Sequence, residues 1–149
     1  MSYRWVDHTS EVELEIEAAG EREVLEAAVR ALAELHGIDT TGPTTDRPLT
    51  AHATDRPLTA HATDRPLTAH ATDRPALLAA WMEELVFLAE SEGFVATEVL
   101  DLELGAGRVS ARVAGVLDEP PPLVKAVTYH RLTFEPAGEV YVARVILDV

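Results

Sequence analysis

Residues 11–18 read EVELEIEA, and no other stretch constrains the fold as much. Val12, Leu14, Ile16 and Ala18 alternate with Glu13, Glu15 and Glu17, so a backbone of period two collects the apolar side chains on one side and leaves the carboxylates wet. A half-buried strand is therefore predicted. The residues after it supply a helix. Gly20 is placed as its N-cap, Glu21 and Glu23 occupy the first turn at the positive end of the dipole, and Val24, Leu25, Ala28, Leu32 and Leu35 follow at helical spacing. His36 and Gly37 form the stop signal.

A second helix is predicted to start at Asp73 with Pro75, to bury Leu77, Leu78, Trp81, Leu85 and Leu88, and to end at Gly93. From Phe94 onward the pattern is that of strands. One runs through Val99, Leu102 and Leu104, and a second covers 109–116 after a Gly105-Ala106-Gly107 turn. Prolines at 120–122 make a break. Two further strands, over 124–134 and 140–149, are joined by a Pro136-Ala137-Gly138 turn. This order argues an α+β fold, with two helices packed on one face of a mostly antiparallel or mixed sheet, and a single domain over 1–149.

Between the two helices TDRPLTAHA occurs three times without a mismatch, over 45–53, 54–62 and 63–71, and TDRP begins again at Thr72. A solenoid needs a buried stripe from every unit, yet each unit offers one Leu and a few Ala, with Pro interrupting any ladder. The 45–75 segment is accordingly expected to be a duplication carried as an extended loop, with the last copy lending a short strand over 67–71. The even spacing of His52, His61 and His70 follows from the copying alone.

The composition removes several function classes. With 26 Asp plus Glu against 12 Lys plus Arg the formal net charge is −14, which opposes a broad grip on nucleic-acid phosphates. Hydrophobic residues make up 47% of the chain, enough for a core and too many for a disordered acidic tail. The absence of Cys excludes a disulfide framework, a thiolate nucleophile and Cys-based zinc or iron–sulfur sites. No window approaches the roughly 20 apolar residues of a membrane span, so a soluble, unprocessed, cytoplasmic protein is expected, with neither membrane nor DNA as partner. The chain has no Gly-rich phosphate loop, no nucleophile elbow and no His-Glu-x-x-His helix.

Three polar groups of residues remain. Asp7-His8-Thr9-Ser10-Glu11 has the oxygen density that suits a hard cation, although Asp7, Thr9 and Glu11 are equally placed to continue the exposed odd-numbered face of the strand, and spacing alone favours the latter. Asp148 stands beside the main-chain carboxylate of Val149 at the end of an apolar strand, where a divalent cation would relieve the repulsion; a frayed, solvated end is the competing reading. In KAVTYHR, alternation puts Lys125, Tyr129 and Arg131 on one face and Thr128 and His130 on the other, an ordinary mixed strand when taken alone.

Taken together, DHTSEVELEIEAAGE, LLAAWMEELVFLAESEGF, KAVTYH and the final ARVILDV resemble, in order, the motifs of the archease family. The resemblance spans the chain apart from the repeat. It implies a small α+β fold and a divalent-cation site, with calcium the associated ion and magnesium or manganese as alternatives. Carried over position by position, it places Glu11, Asp148 and the terminal carboxylate of Val149 as cation ligands, and Asp7, His8 and Lys125 in supporting roles. The family motif usually has Asp where this chain has Glu11, a side chain one methylene longer.

The resemblance further implies a non-catalytic activator of an RtcB-type RNA ligase in tRNA splicing and RNA repair, promoting guanylylation of the ligase and its multiple turnover. That ligase joins a 2′,3′-cyclic phosphate or 3′-phosphate end to a 5′-hydroxyl end with GTP and a metal. RNA would then be met only through the ligase, whose basic channel attracts an acidic surface. The alternative is a calcium-binding structural or chaperone-like module that binds proteins independently of any ligase. An acid/base hydrolase built on Asp7 and His8 lacks an identifiable nucleophile or substrate pocket.

Overall fold

The alternation in EVELEIEA is realised as a strand whose Leu14, Ile16 and Ala18 are buried while Glu15 and Glu17 face outward. The computed structural model describes residues 1–38, 69–71 and 73–149. In chain order its elements are β1 (Ser2–His8), β2 (Glu11–Ala18), α1 (Glu21–Leu35), β3 (Ala69–His70), α2 (Arg74–Glu92), β4 (Phe94–Leu104), β5 (Arg108–Leu117), β6 (Ala126–Ala137) and β7 (Val140–Asp148). The 45–75 repeat lies outside the described residues except for 69–71 and 73–75. Of the strand expected over 67–71, the described part is β3, which pairs with Val109 and Arg108 of β5.

Both helices form as their end signals dictate. α1 starts after an extended Gly20, whose carbonyl accepts from Val24 N at 3.2 Å, and it closes through His36 N to Leu32 O at 3.0 Å and a left-handed Gly37. At the start of α2 the Asp73 carboxylate accepts from Ala76 N at 2.9 Å, with Pro75 in the first turn, where its missing N–H costs nothing. Gly93 ends it at φ 68, a conformation that glycine adopts without strain. Arg74 bonds Glu21 on α1 at 2.6 Å and the Gly105 carbonyl at 2.7 Å, so the two helix starts and the β4–β5 turn are held at one point.

The α+β class and the antiparallel pairing are as expected, and the layering is more elaborate. Among the described residues the strands form two antiparallel sheets, β1-β2-β7-β6 and β3-β5-β4. Both helices touch strands of both sheets. The buried runs Ala27, Ala28, Val29 and Ala31, Leu32, Ala33 cover most of the circumference of α1 and leave one exposed stripe through Arg22, Arg30 and Glu34, a wider apolar surface than contact with a single sheet requires. β1 is an additional strand, and its Tyr3 and Trp5 lie on the side of Leu14; Trp5 Nε1 donates to Ala31 O at 3.2 Å. Trp81 is fully buried and donates to Leu25 O at 3.1 Å, a core role. No helix among the described residues is long and apolar enough to cross a membrane.

Candidate functional site

Thr9 and Ser10 form a two-residue turn between β1 and β2, with Ser10 at φ 63. The turn reverses the chain, so the parity of the strand is not carried through it: His8 pairs with Glu11, and Asp7 pairs with Val12. Directly opposed residues of an antiparallel pair share a face. Asp7 therefore lies on the side of Val12 and the core, while His8 lies with Glu11 on the outer face. The reading of Asp7, Thr9 and Glu11 as one continuous exposed face is corrected by this turn.

β7 runs antiparallel beside β2 and brings Asp148 directly opposite Glu11. Beyond it, Val149 N donates to Ser10 O at 3.0 Å, which ties the residue after β7 to the β1–β2 turn. On the other side of β7, Ala126 opposes Asp148, and Lys125 N donates to Asp148 O at 2.7 Å. Glu11, Asp148 and Val149 thus meet at one end of the four-stranded sheet, with His8 beside Glu11 on the same face and the Lys125 backbone bonded to Asp148. The Asp7 side chain lies on the opposite face, as does that of Val149, which packs against the core and leaves its main chain at the site. Glu11 and Asp148 are both half-buried, whereas His8 and Lys125 are exposed.

A hard divalent cation takes carboxylate and carbonyl oxygens. Glu11 and Asp148 offer that donor type from neighbouring strands on one face, and a main-chain carboxylate at Val149 would add to it. Side chains alone do not complete such a set: among the described residues no three His, Asp or Glu side chains are grouped to hold a metal ion.

The outer face also carries an ionic row that the sequence did not indicate. Glu13, expected to be wetted like Glu15 and Glu17, is only 5% exposed. Its carboxylate lies 2.8 Å from Arg144 Nε and 3.3 Å from His8 Nε2. Arg144 also reaches Glu15 at 3.8 Å, and Glu15 binds Arg4 at 2.7 Å. The row runs from His8 at the turn, through Glu13 and Arg144, to Arg4 on the edge strand. At the far end of the same face is a shallow open groove of about 590 Å³, lined by Arg4, Glu15, Glu17, Glu135 and Arg144.

The KAVTYH stretch departs from simple alternation. Thr128 pairs with Ile146 and Thr133 with Arg144, so four residues of β6 stand against the single Val145 of β7. Arg131 in this bulge has φ 55, uncommon for a residue with a Cβ. Tyr129, His130 and Arg131 are all exposed, and the two-faced assignment made by alternation does not hold past Thr128.

The sequence model of the archease protein family matches residues 3–149. The chain belongs to the archease family. Protein archease of Archaeoglobus fulgidus is 28% identical over 160 residues, the alignment covering 100% of both chains. The fold resembles the crystal structure of an archease, described as a possible chaperone, from Thermotoga maritima, with a TM-score of 0.58 at 18% identity over 97% of this chain and 94% of that one. It is similar also to the solution structure of protein 1598 of Methanobacterium thermoautotrophicum, with a TM-score of 0.58 at 19% identity over 99% and 98% of the two chains. The archease fold therefore holds across sequences that differ at about four positions in five.

Proposed function

We propose that this archease is a non-catalytic activator of an RtcB-type RNA ligase, acting in tRNA splicing and RNA repair by promoting guanylylation of the ligase and its multiple turnover. The observation that carries the reading is the register that sets Glu11 opposite Asp148 where the Thr9–Ser10 turn meets Val149. Glu11, Asp148 and the terminal carboxylate of Val149 would hold a divalent cation, calcium first among the candidates. That ion would supply a focus of positive charge presented to the ligase. The protein's own part is to keep two carboxylates side by side on a sheet end, with His8 and Lys125 adjacent and Asp7 behind. Its charge of −14 favours approach to a basic RNA-binding channel, so RNA is met through the ligase and no nucleic-acid grip of its own is needed. The place of action is the cytoplasm.

Charge reversal tests this reading. Glu11→Lys and Asp148→Lys are expected to remove stimulation of guanylylation while leaving the far-UV circular dichroism unchanged. Either variant supporting full ligase turnover overturns it. A chaperone-like module is the second reading, supported by the description of the Thermotoga maritima relative as a possible chaperone. Under it, suppression of aggregation by unrelated proteins persists in both variants.

A further inference from the structure

Neither His36 nor Glu90 belongs to the site described above, yet they form a buried ionisable pair that joins the end of α1 to α2. His36 follows the last turn of α1, its side chain only 1% exposed, and its Nε2 lies 2.8 Å from Glu90 Oε2 on α2. The same Glu90 oxygen accepts from Val124 N at 3.1 Å. His36 Nδ1 is buried with no partner among the described residues. Buried polar atoms without partners are rare, and two apolar side chains would join α1 to α2 at smaller desolvation cost. What the polar pair provides instead is a fixed acceptor for a main-chain N–H.

That N–H lies on the route to the carboxylates. The segment between β5 and β6 contains Pro120, Pro121 and Pro122, none of which has an N–H to donate. Its final two residues are tied in opposite directions. Val124 N donates to Glu90, and Lys125 N donates to Asp148 O at 2.7 Å. Asp148 in turn opposes Glu11, and Val149 N closes onto Ser10 O at 3.0 Å. An unbroken run of hydrogen bonds and chain therefore leads from the α1–α2 joint to the end of the four-stranded sheet.

We propose that Glu90, held by His36, is a positioning residue for the Glu11–Asp148 pair: by anchoring Val124 it fixes Lys125, and through Lys125 the end of β7. The inference rests on the reading of that pair as the working site, and its test separates the two. Glu90→Leu removes the acceptor, Glu90→Gln keeps an acceptor without the charge, and His36→Leu leaves Glu90 unsupported.

Amide hydrogen exchange is measured first, without added cation. In Glu90→Leu, Lys125 and Val149 are expected to exchange about tenfold faster or more, while Leu14 and Val24 keep their protection; Glu90→Gln returns them to within about threefold. His36→Leu gives an intermediate acceleration, and serves as the deciding variant if Glu90→Leu does not fold. Wild-type exchange at Lys125 and Val149 in the folded variants, with only Val124 affected, overturns the proposal. Calcium titration of the same proteins is expected to show affinity about fivefold weaker in Glu90→Leu and restored in Glu90→Gln. Calcium affinity that is equal in wild type and Glu90→Leu also overturns it. Should the wild-type protein bind no calcium, the cation reading falls, and exchange at Lys125 and Val149 alone decides the positioning role.

Discussion

Removing the Glu13 carboxylate leaves Arg144 without its 2.8 Å partner and His8 without its 3.3 Å one, on a face where the neighbouring carboxylate Glu17 is exposed. Glu13→Ala is expected to lower unfolding free energy by about 1–3 kcal/mol, the cost of a buried polar contact broken from one side. Glu17→Ala should stay within about 0.5 kcal/mol. Urea denaturation of the two variants distinguishes them, and equal effects would mean that burial of Glu13 contributes nothing. Gly115 marks a second residue-scale constraint: a Cβ there would stand 2.2 Å from Val95 O and 2.8 Å from Phe94 Cζ. Gly115→Ala must therefore push β4 from β5 or distort both, and a loss of about 1–3 kcal/mol is expected in the same assay. Neither constraint was legible beforehand. Period two assigns a side to Glu13 and says nothing of what folds over that side, and an interior strand glycine declares its close neighbour only when the second strand is in place.

At the scale of elements the legible parts were those with chemistry at their ends. Asp73 with Pro75 and the left-handed Gly93 bound α2 where the sequence placed it, and Gly20 with Gly37 did the same for α1. Asp73→Ala is expected to cost about 1 kcal/mol, since the Ala76 N–H then loses its acceptor. β1 escaped notice because its alternation is short: Tyr3 and Trp5 point inward, but Asp7 occupies the next inward position and breaks the apolar pattern. The bulge in β6 is equally hidden, because Tyr129, His130 and Arg131 continue a plausible strand until the partner strand shows that only Val145 opposes them. The division into two sheets depends on both helices having apolar sides toward each sheet, a property that consecutive Ala and Val residues in α1 suggest only in hindsight. Read as added chain length, the copied units between α1 and β3 should be dispensable. Deleting residues 45–62 is predicted to change stability by less than about 1 kcal/mol, from the logarithmic dependence of closure entropy on length. A large fall in melting temperature would show that the copies contribute packing.

For the molecule as a whole, the family resemblance named the members of the candidate site and could not give their arrangement. Glu11, Asp148 and Val149 are far apart in sequence, and their meeting depends on β7 lying next to β2 with one register among several possible. Asp7 fell on the other face because a two-residue turn, invisible to an alternation count, separates it from Glu11. Family membership accounts for the fold, while the proposed activator role rests on the carboxylate pair. The direct test is multiple-turnover RNA ligation by the cognate RtcB-type ligase, with GTP and divalent cation, adding this protein at about a tenth of the ligase concentration. The account predicts faster guanylylation and sustained turnover with the wild-type protein and none with Asp148→Ala. Turnover that the folded wild-type protein leaves unchanged, or that Asp148→Ala stimulates equally, would contradict it.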